Sequence, residues 1–151
     1  MVNFIGIIII ITLIIIHSGK YNIGKELIVG DSIEIRGSFG ASYDWFTVWI
    51  INDIGGNLFN LDFRPFQNRT VMNSFLGAWG EDVYSDLPDF TDGVEFNLQI
   101  ICTETEFVVF VDGKQMSHSF PYREELRQAR TVALYEGMDS FPWGKVEGKI
   151  Y

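Results

Sequence analysis

Hydrophobic and polar positions alternate with a period of two along much of this chain, the spacing of half-buried strands. The clearest run covers residues 94–102, where Phe96, Leu98, Ile100 and Cys102 fall on one side. Residues 32–36 point Ile33 and Ile35 inward and end at Gly37, before a Gly/Ser/Tyr loop over 37–44. An apolar strand over 45–51 is turned back by Asn52-Asp53-Ile54-Gly55-Gly56, and strands over 57–63 and 70–76 follow. Thr103-Glu104 makes a tight reversal into 106–111, and Asp112-Gly113 suits a two-residue hairpin turn from which 115–120 pairs back. Residues 131–135 and 145–151 finish the sheet, and only 124–130 has helical composition, enough for one or two turns. Short strands at this spacing, without an internal repeat or linker, predict one all-β domain built as an antiparallel sandwich.

The amino terminus departs from that pattern. Residues 4–16 are nearly pure Ile and carry no charge. As a helix they would span about 20 Å, short of a hydrocarbon core of about 30 Å but suited to the apolar region of a secretory signal. Small residues follow at Ser18 and Gly19, whereas Met1-Val2-Asn3 lacks Lys and Arg. The expectation is a signal peptide over 1–19 and a secreted domain over 20–151, with an uncleaved anchor or a misjudged start as the other readings. Once the signal is removed, nothing predicts attachment to a membrane.

Candidate chemistry gathers between residues 61 and 90. Leu61 and Phe63 alternate with Asp62 and Arg64, Asn73 lies among apolar neighbours, and Trp79 stands beside Gly80, Glu81 and Asp82. If these pieces are neighbours on one sheet, a flat indole lies next to a cluster of polar side chains. A pyranose, with one apolar C–H face and a rim of hydroxyls, needs that pairing. The residues also admit plainer roles: an Asp62–Arg64–Asp82 ion-pair network without a ligand, and Trp79 as ordinary packing.

The sequence has 151 residues, thirteen Phe, six Tyr and four Trp, so one aromatic-rich core is affordable but two ordinary domains are not. A formal net charge of −9 with scattered Lys and Arg argues against nucleic acid and anionic lipid as partners. Cys102 is the single cysteine, which excludes an intrachain disulfide and reads as a buried thiol rather than a reactive one. Asn68-Arg69-Thr70 is an N-glycosylation sequon, making Asn68 a candidate acceptor or else a solvated turn residue. No zinc spacing, phosphate loop or Ser–His–Asp set is evident, and no metal or cofactor is expected. A glycosidase needs two facing carboxyls; Glu81 and Asp82 would point to opposite faces of a strand, so a non-enzymatic protein is expected.

At these residues the chain resembles the galectin family. The family pattern His-x-Asn-Pro-Arg, Val-x-Asn-Ser and Trp-Gly-x-Glu-x-Arg falls on residues 62–66, 71–74 and 79–84, followed by Phe90-x-x-Gly93-x-x-Phe96. Phe107 to Gly113, Phe120-Pro121-Tyr122-Arg123 and Leu27-x-x-Gly30 look like further family elements. The resemblance implies a jelly-roll sandwich, concanavalin A-like, with the sugar on the concave face. It implies a carbohydrate-binding lectin for a glycan or glycoprotein, and leaves room for a homodimer. The stacking indole would be Trp79 and the amide Asn73. The family's His, Asn and first Arg positions hold Asp62, Arg64 and Phe66; its Glu and final Arg hold Asp82 and Tyr84. Losing partners of a hydrogen-bonded site costs about 1–3 kcal/mol each, so galactoside specificity is doubtful. The expected ligand set is Asp62, Arg64, Asn73, Trp79 and Asp82; the alternative is a secreted protein-interaction module on the same scaffold.

Overall fold

The computed structural model describes residues 8–12, 19–38, 45–91 and 93–136, and the predicted last strand over 145–151 lies outside them. The strands are β1 (Ile8–Thr12), β2 (Gly19–Asn22), β3 (Ser32–Gly37), β4 (Phe46–Asn52), β5 (Asn57–Arg64), β6 (Arg69–Phe75), β7 (Val83–Ser85), β8 (Phe96–Cys102), β9 (Glu106–Val111), β10 (Lys114–Gln115), β11 (Phe120–Pro121) and β12 (Ala129–Glu136). They form two sheets. One runs β1-β3-β8-β9-β10, with β11 also on β9; the other runs β2-β12-β4-β5-β6-β7. The described pairings are antiparallel apart from β1, which lies parallel to β3.

The two sheets meet through aromatic rings. Phe59 of β5 stacks on Phe107 of β9 at 4.7 Å and on Phe120 of β11 at 5.2 Å. Around them Ile33, Ile35, Phe46, Leu61, Phe63, Leu98 and Ile100 are fully buried, as the period-two pattern requires. Cys102 is buried too, and loss of solvation pushes its thiol up to about 12, so it is un-ionised at neutral pH.

Three local expectations differ from the structure. Residues 124–130 form no helix, because tertiary anchors override local propensity: Gln128 takes a positive φ of 58° and its N–H donates to the Glu26 carboxylate. The strand expected over 115–120 is split into β10 and β11, since Met116 turns into the core. Short strands β1, β2 and β7 are present beyond those expected, paired with β3, β12 and β6. By contrast, Asp112 and Gly113 have φ of 50° and 79°, the conformation expected of the hairpin turn.

Beyond one edge of the second sheet, Asp86 ties β7 to the segment before β11. Its Oδ1 accepts from Ser117 N–H (2.9 Å), Ser117 Oγ (2.7 Å) and Ser85 Oγ (2.8 Å). Burial would raise this carboxyl's pKa, but the donors outweigh it and hold the group down to about 2. A depressed carboxylate pKa stabilises the fold above its unfolded value and loses that effect as pH falls through the folded one. Acid titration of unfolding should therefore show a loss of stability between about pH 4 and pH 2 that Asp86→Asn removes.

Candidate functional site

Cross-strand register assembles the site on the outer face of the second sheet. Directly opposed residues share a face, so Trp49 (β4), Asn60 (β5) and Asn73 (β6) form one row. Thr47, Asp62, Val71 and Tyr84 form the next, across β4, β5, β6 and β7. Residues 76–82 fold back from β6, and Trp79 bridges to Phe75 at the edge of the rows. Asn60, Arg64, Asn73, Trp79, Gly80 and Asp82 thereby line one cleft of about 350 Å³, within the range of small-ligand sites, about 300–1,000 Å³.

Trp79 is 38% exposed. Its ring meets Phe75 at 5.2 Å and Trp49 at 6.1 Å, both edge-to-face, which fixes the indole while leaving part of it open to solvent. Behind it Trp49 packs on Tyr135, also at 6.1 Å, and both of these rings are buried.

Arg64 is the cationic group of the cleft. Its Nη2 donates to Asp62 Oδ2 at 3.0 Å, Nη1 reaches Gln67 Oε1 at 3.4 Å, and the guanidinium carbon lies 4.6 Å from the centre of the Trp45 ring. Trp45 in turn stacks on Phe66 at 5.3 Å. Arg64 Nε is buried without a partner among the described residues. The guanidinium is thus held by a carboxylate on one side and an indole beside it.

Asp62 lies beneath this group, with its side chain completely shielded from solvent. Thr47 Oγ1 and Arg64 Nη2 donate to it. Burial pushes the carboxyl's pKa upward, opposed by the Thr47 bond and by Arg64. Of the five residues expected to contact a ligand, this one holds another in place and does not line the cleft.

Asn73 lines the cleft, but its amide is committed. Nδ2 donates to Gly80 O and Asp82 Oδ1, both at 2.8 Å. Oδ1 accepts from Ser74 N–H at 2.7 Å and Arg123 Nη1 at 2.8 Å. Asp82 is exposed, and its other oxygen accepts from Tyr84 OH at 3.3 Å. Asp82 and Asp62 are not joined through Arg64 into one network, since the Arg64 ion pair is with Asp62.

Arg123 has a part in the site that sequence reasoning did not assign, although its motif was visible. It follows β11 of the opposite sheet and lies over the Phe120 ring at 4.7 Å. Its guanidinium donates to Asn73 Oδ1, to Ser74 Oγ at 3.2 Å and to the Glu81 carbonyl. Gly80 is what allows this: a Cβ there would overlap Arg123 Nη1. Arg123→Ala should lower stability by about 1.5–3 kcal/mol, the scale of hydrogen bonds to a charged group, and Gly80→Ala by no more than that, since it displaces only the end of an exposed, flexible side chain. Because both break the same strut, the double variant should cost little more than Arg123→Ala alone in a denaturant-unfolding cycle.

Asn68 is exposed, at the left-handed end of the 3₁₀ turn Pro65–Gln67, while the sequon's Thr70 is buried with its hydroxyl on Asp86 O. Near this edge Asp86, Ser117 and His118 do come together. However, Ser117 Oγ sits between the carboxylate and His118 Nδ1 (3.1 Å), so the imidazole does not link the hydroxyl to the acid as a nucleophile's base must. No cluster among the described residues could hold a metal ion.

A family model described as galactoside-binding lectin matches residues 18–140. The fold is similar to that of sheep galectin-11 in complex with glycerol, at 20% identity over 81% of this chain and 92% of that one, with a TM-score of 0.67. It is equally similar to two substituted forms of human galectin-16, at 22% and 23% identity over 81% of this chain and 89% of theirs, again with TM-scores of 0.67.

Proposed function

The chain belongs to the galactoside-binding lectin family, and from that premise we propose that it binds a glycan, free or on a glycoprotein, in the Trp79 cleft without catalysing a reaction on it. The family is one of carbohydrate-binding lectins and is generally non-catalytic. One observation carries the reading: the exposed Trp79 lines the same cleft as Asn60, Arg64, Asn73 and Asp82. The apolar face of a pyranose stacks on the indole. The N–H groups of Arg64 not used by Asp62 and Gln67 donate to sugar oxygens, and the exposed Asp82 carboxylate offers acceptors. Asp62 and Asn73 act one step back, holding Arg64 and the 79–82 segment.

The preferred glycan is not a plain β-galactoside. The three positions that read the galactose 4-hydroxyl in the family hold Asp62, Arg64 and Phe66; Asp62 is buried and Phe66 stacks on Trp45. A glycan array probed with the full chain is expected to show a selective signal, with lactose binding weak or missing by calorimetry. Arg64→Ala should remove that signal, whereas a blank array at high protein concentration would sink the proposal.

We place the protein outside the cell, with residues 1–19 as a removed leader, so that β1 would be absent from the mature sheet and β3 would become its edge, and Asn68 as a glycan acceptor at the Arg64 end of the site. N-terminal sequencing and a glycosidase mobility shift of protein from a eukaryotic secretory host test both points. The second reading, a secreted interaction module without sugar binding, draws on a specific fact: Asp62 and Asn73 spend their hydrogen-bonding capacity inside the protein. A blank array from correctly folded protein would favour it.

A further inference from the structure

A second concave surface lies away from the Trp79 cleft, among the segments that join β2 to β3, β8 to β9 and β11 to β12. It is a groove of about 460 Å³ lined by Glu26, Leu27, Ile28, Val29, Glu104, Tyr122, Glu125, Leu126 and Arg127. Two features set it apart from an ordinary loop junction.

First, it exposes branched apolar side chains on a fixed backbone. Ile28 is 51% and Val29 39% exposed, beside the half-buried Leu126 and Tyr122. The segment carrying them is tied down throughout. Leu27 is buried and its N–H donates to Ala129 O, Gly30 N–H donates to Cys102 O, and Asp31 accepts from Lys25 and from Ile28 N–H. Ile28 and Val29 are therefore held out by tertiary bonds, and a partner covering them would pay little ordering entropy on this side.

Second, the rim is acidic. Glu26 is 3.8 Å from Arg130, but Glu104 and Glu125 have no ion pair or hydrogen bond among the described residues. Among the described residues Arg127 is the one cation lining the groove. Neighbouring like charges cost free energy that a cationic ligand would recover, and that complementarity chooses among occupants. Nucleic acid and anionic lipid would be repelled. A second copy docking through the same face would bring two sets of glutamates together, as a two-fold contact must.

We propose that this groove docks a short cationic, amphipathic segment of a protein partner, one or two apolar side chains covering Ile28 and Val29 and flanking Lys or Arg meeting Glu104 and Glu125. The proposal does not depend on the sugar reading, since neither Trp79 nor any other lining residue of that cleft takes part.

The test uses the full chain and fluorescence anisotropy of a labelled hexapeptide of alternating Lys and Leu, with a Glu–Leu hexapeptide as control. Saturable binding of the Lys–Leu peptide, weakened by added salt, is expected, with none for the control. Glu104→Lys/Glu125→Lys should weaken binding at least tenfold, and Ile28→Ser should weaken it severalfold. Glu95→Lys/Asp89→Lys changes net charge equally at exposed positions outside the groove and should have far less effect. Equal losses from both charge-reversing pairs would reduce the result to bulk attraction by an acidic protein and overturn the proposal. So would self-association that competes with the peptide, which would assign the groove to a second copy. Circular dichroism of each variant confirms that it is folded.

Discussion

Trp79→Ala is expected to erase glycan binding while leaving the sandwich folded. The indole supplies the flat apolar surface of the cleft, and the polar groups around it cannot replace a stacking face. Aromatic anchors at the centre of a binding site commonly cost 2 kcal/mol or more when truncated, so array signals should fall by a factor of about 30 or beyond. The fold should tolerate the change. Trp79 is 38% exposed and its packing consists of edge contacts with Phe75 and Trp49, each worth about 1 kcal/mol. Trp79→Phe retains a ring and should retain part of the signal. Undiminished glycan binding by Trp79→Ala would mean that the ligand lies elsewhere, and the cleft would lose its assignment.

The largest effect on stability should come from Asp62. Removing one partner of a buried ion pair leaves the other charge uncompensated, at a cost of about 3–5 kcal/mol. Asp62→Ala does this to Arg64, whose side chain is only 16% exposed. Guanidinium cannot shed its proton in a protein, so urea-unfolding measurements should find this loss wherever the parent's Asp62 is ionised, and acidification cannot relieve the stranded charge in Asp62→Ala. Arg64→Ala strands a carboxylate instead, and burial already pushes Asp62's pKa up, against the pull of Thr47 and Arg64. Without Arg64 the folded pKa rises further above the unfolded value. The sign follows: a raised pKa favours the fold below the unfolded value, and that contribution is lost as pH rises through the folded one. Arg64→Ala should therefore be weakest at neutral and alkaline pH and recover as the solution is acidified. Asp62→Leu/Arg64→Met, which removes both charges, should be more stable than Asp62→Ala. Identical pH profiles for the two single variants would contradict the buried-pair account.

Much of the fold could be read from residue patterns because its signals are local. Alternation along β8 and β9, the apolar run of β4 and the Asp112-Gly113 turn all concern neighbours within a few positions. Errors arose where a distant contact outweighed local preference, as at Gln128 on Glu26 and at Met116 in the core. The strand β5 shows the limit from another side. Its alternation is legible in sequence, yet Asn57 to Phe63 are all buried, because Thr47, Trp49 and Arg64 cover the polar row as the core covers the apolar one.

The site divides along the same line. Spacing put Asp62, Arg64, Asn73, Trp79 and Asp82 near one another, and the folded chain does gather them on one face. What spacing could not say is which of those polar atoms are still available to a ligand. That depends on partners many residues away: Thr47 Oγ1 beside Asp62, and Arg123 from the other sheet on Asn73. The amino-acid order thus determined the sandwich, the family and the list of candidate groups, since these follow from periodicity and motif along the chain. Tertiary structure decided that Trp79 and Asp82 are open while Asp62 and Asn73 serve as supports. The physical reason is that a hydrogen bond or a buried charge is satisfied by whatever lies next to it in space, and strand pairing sets those neighbours.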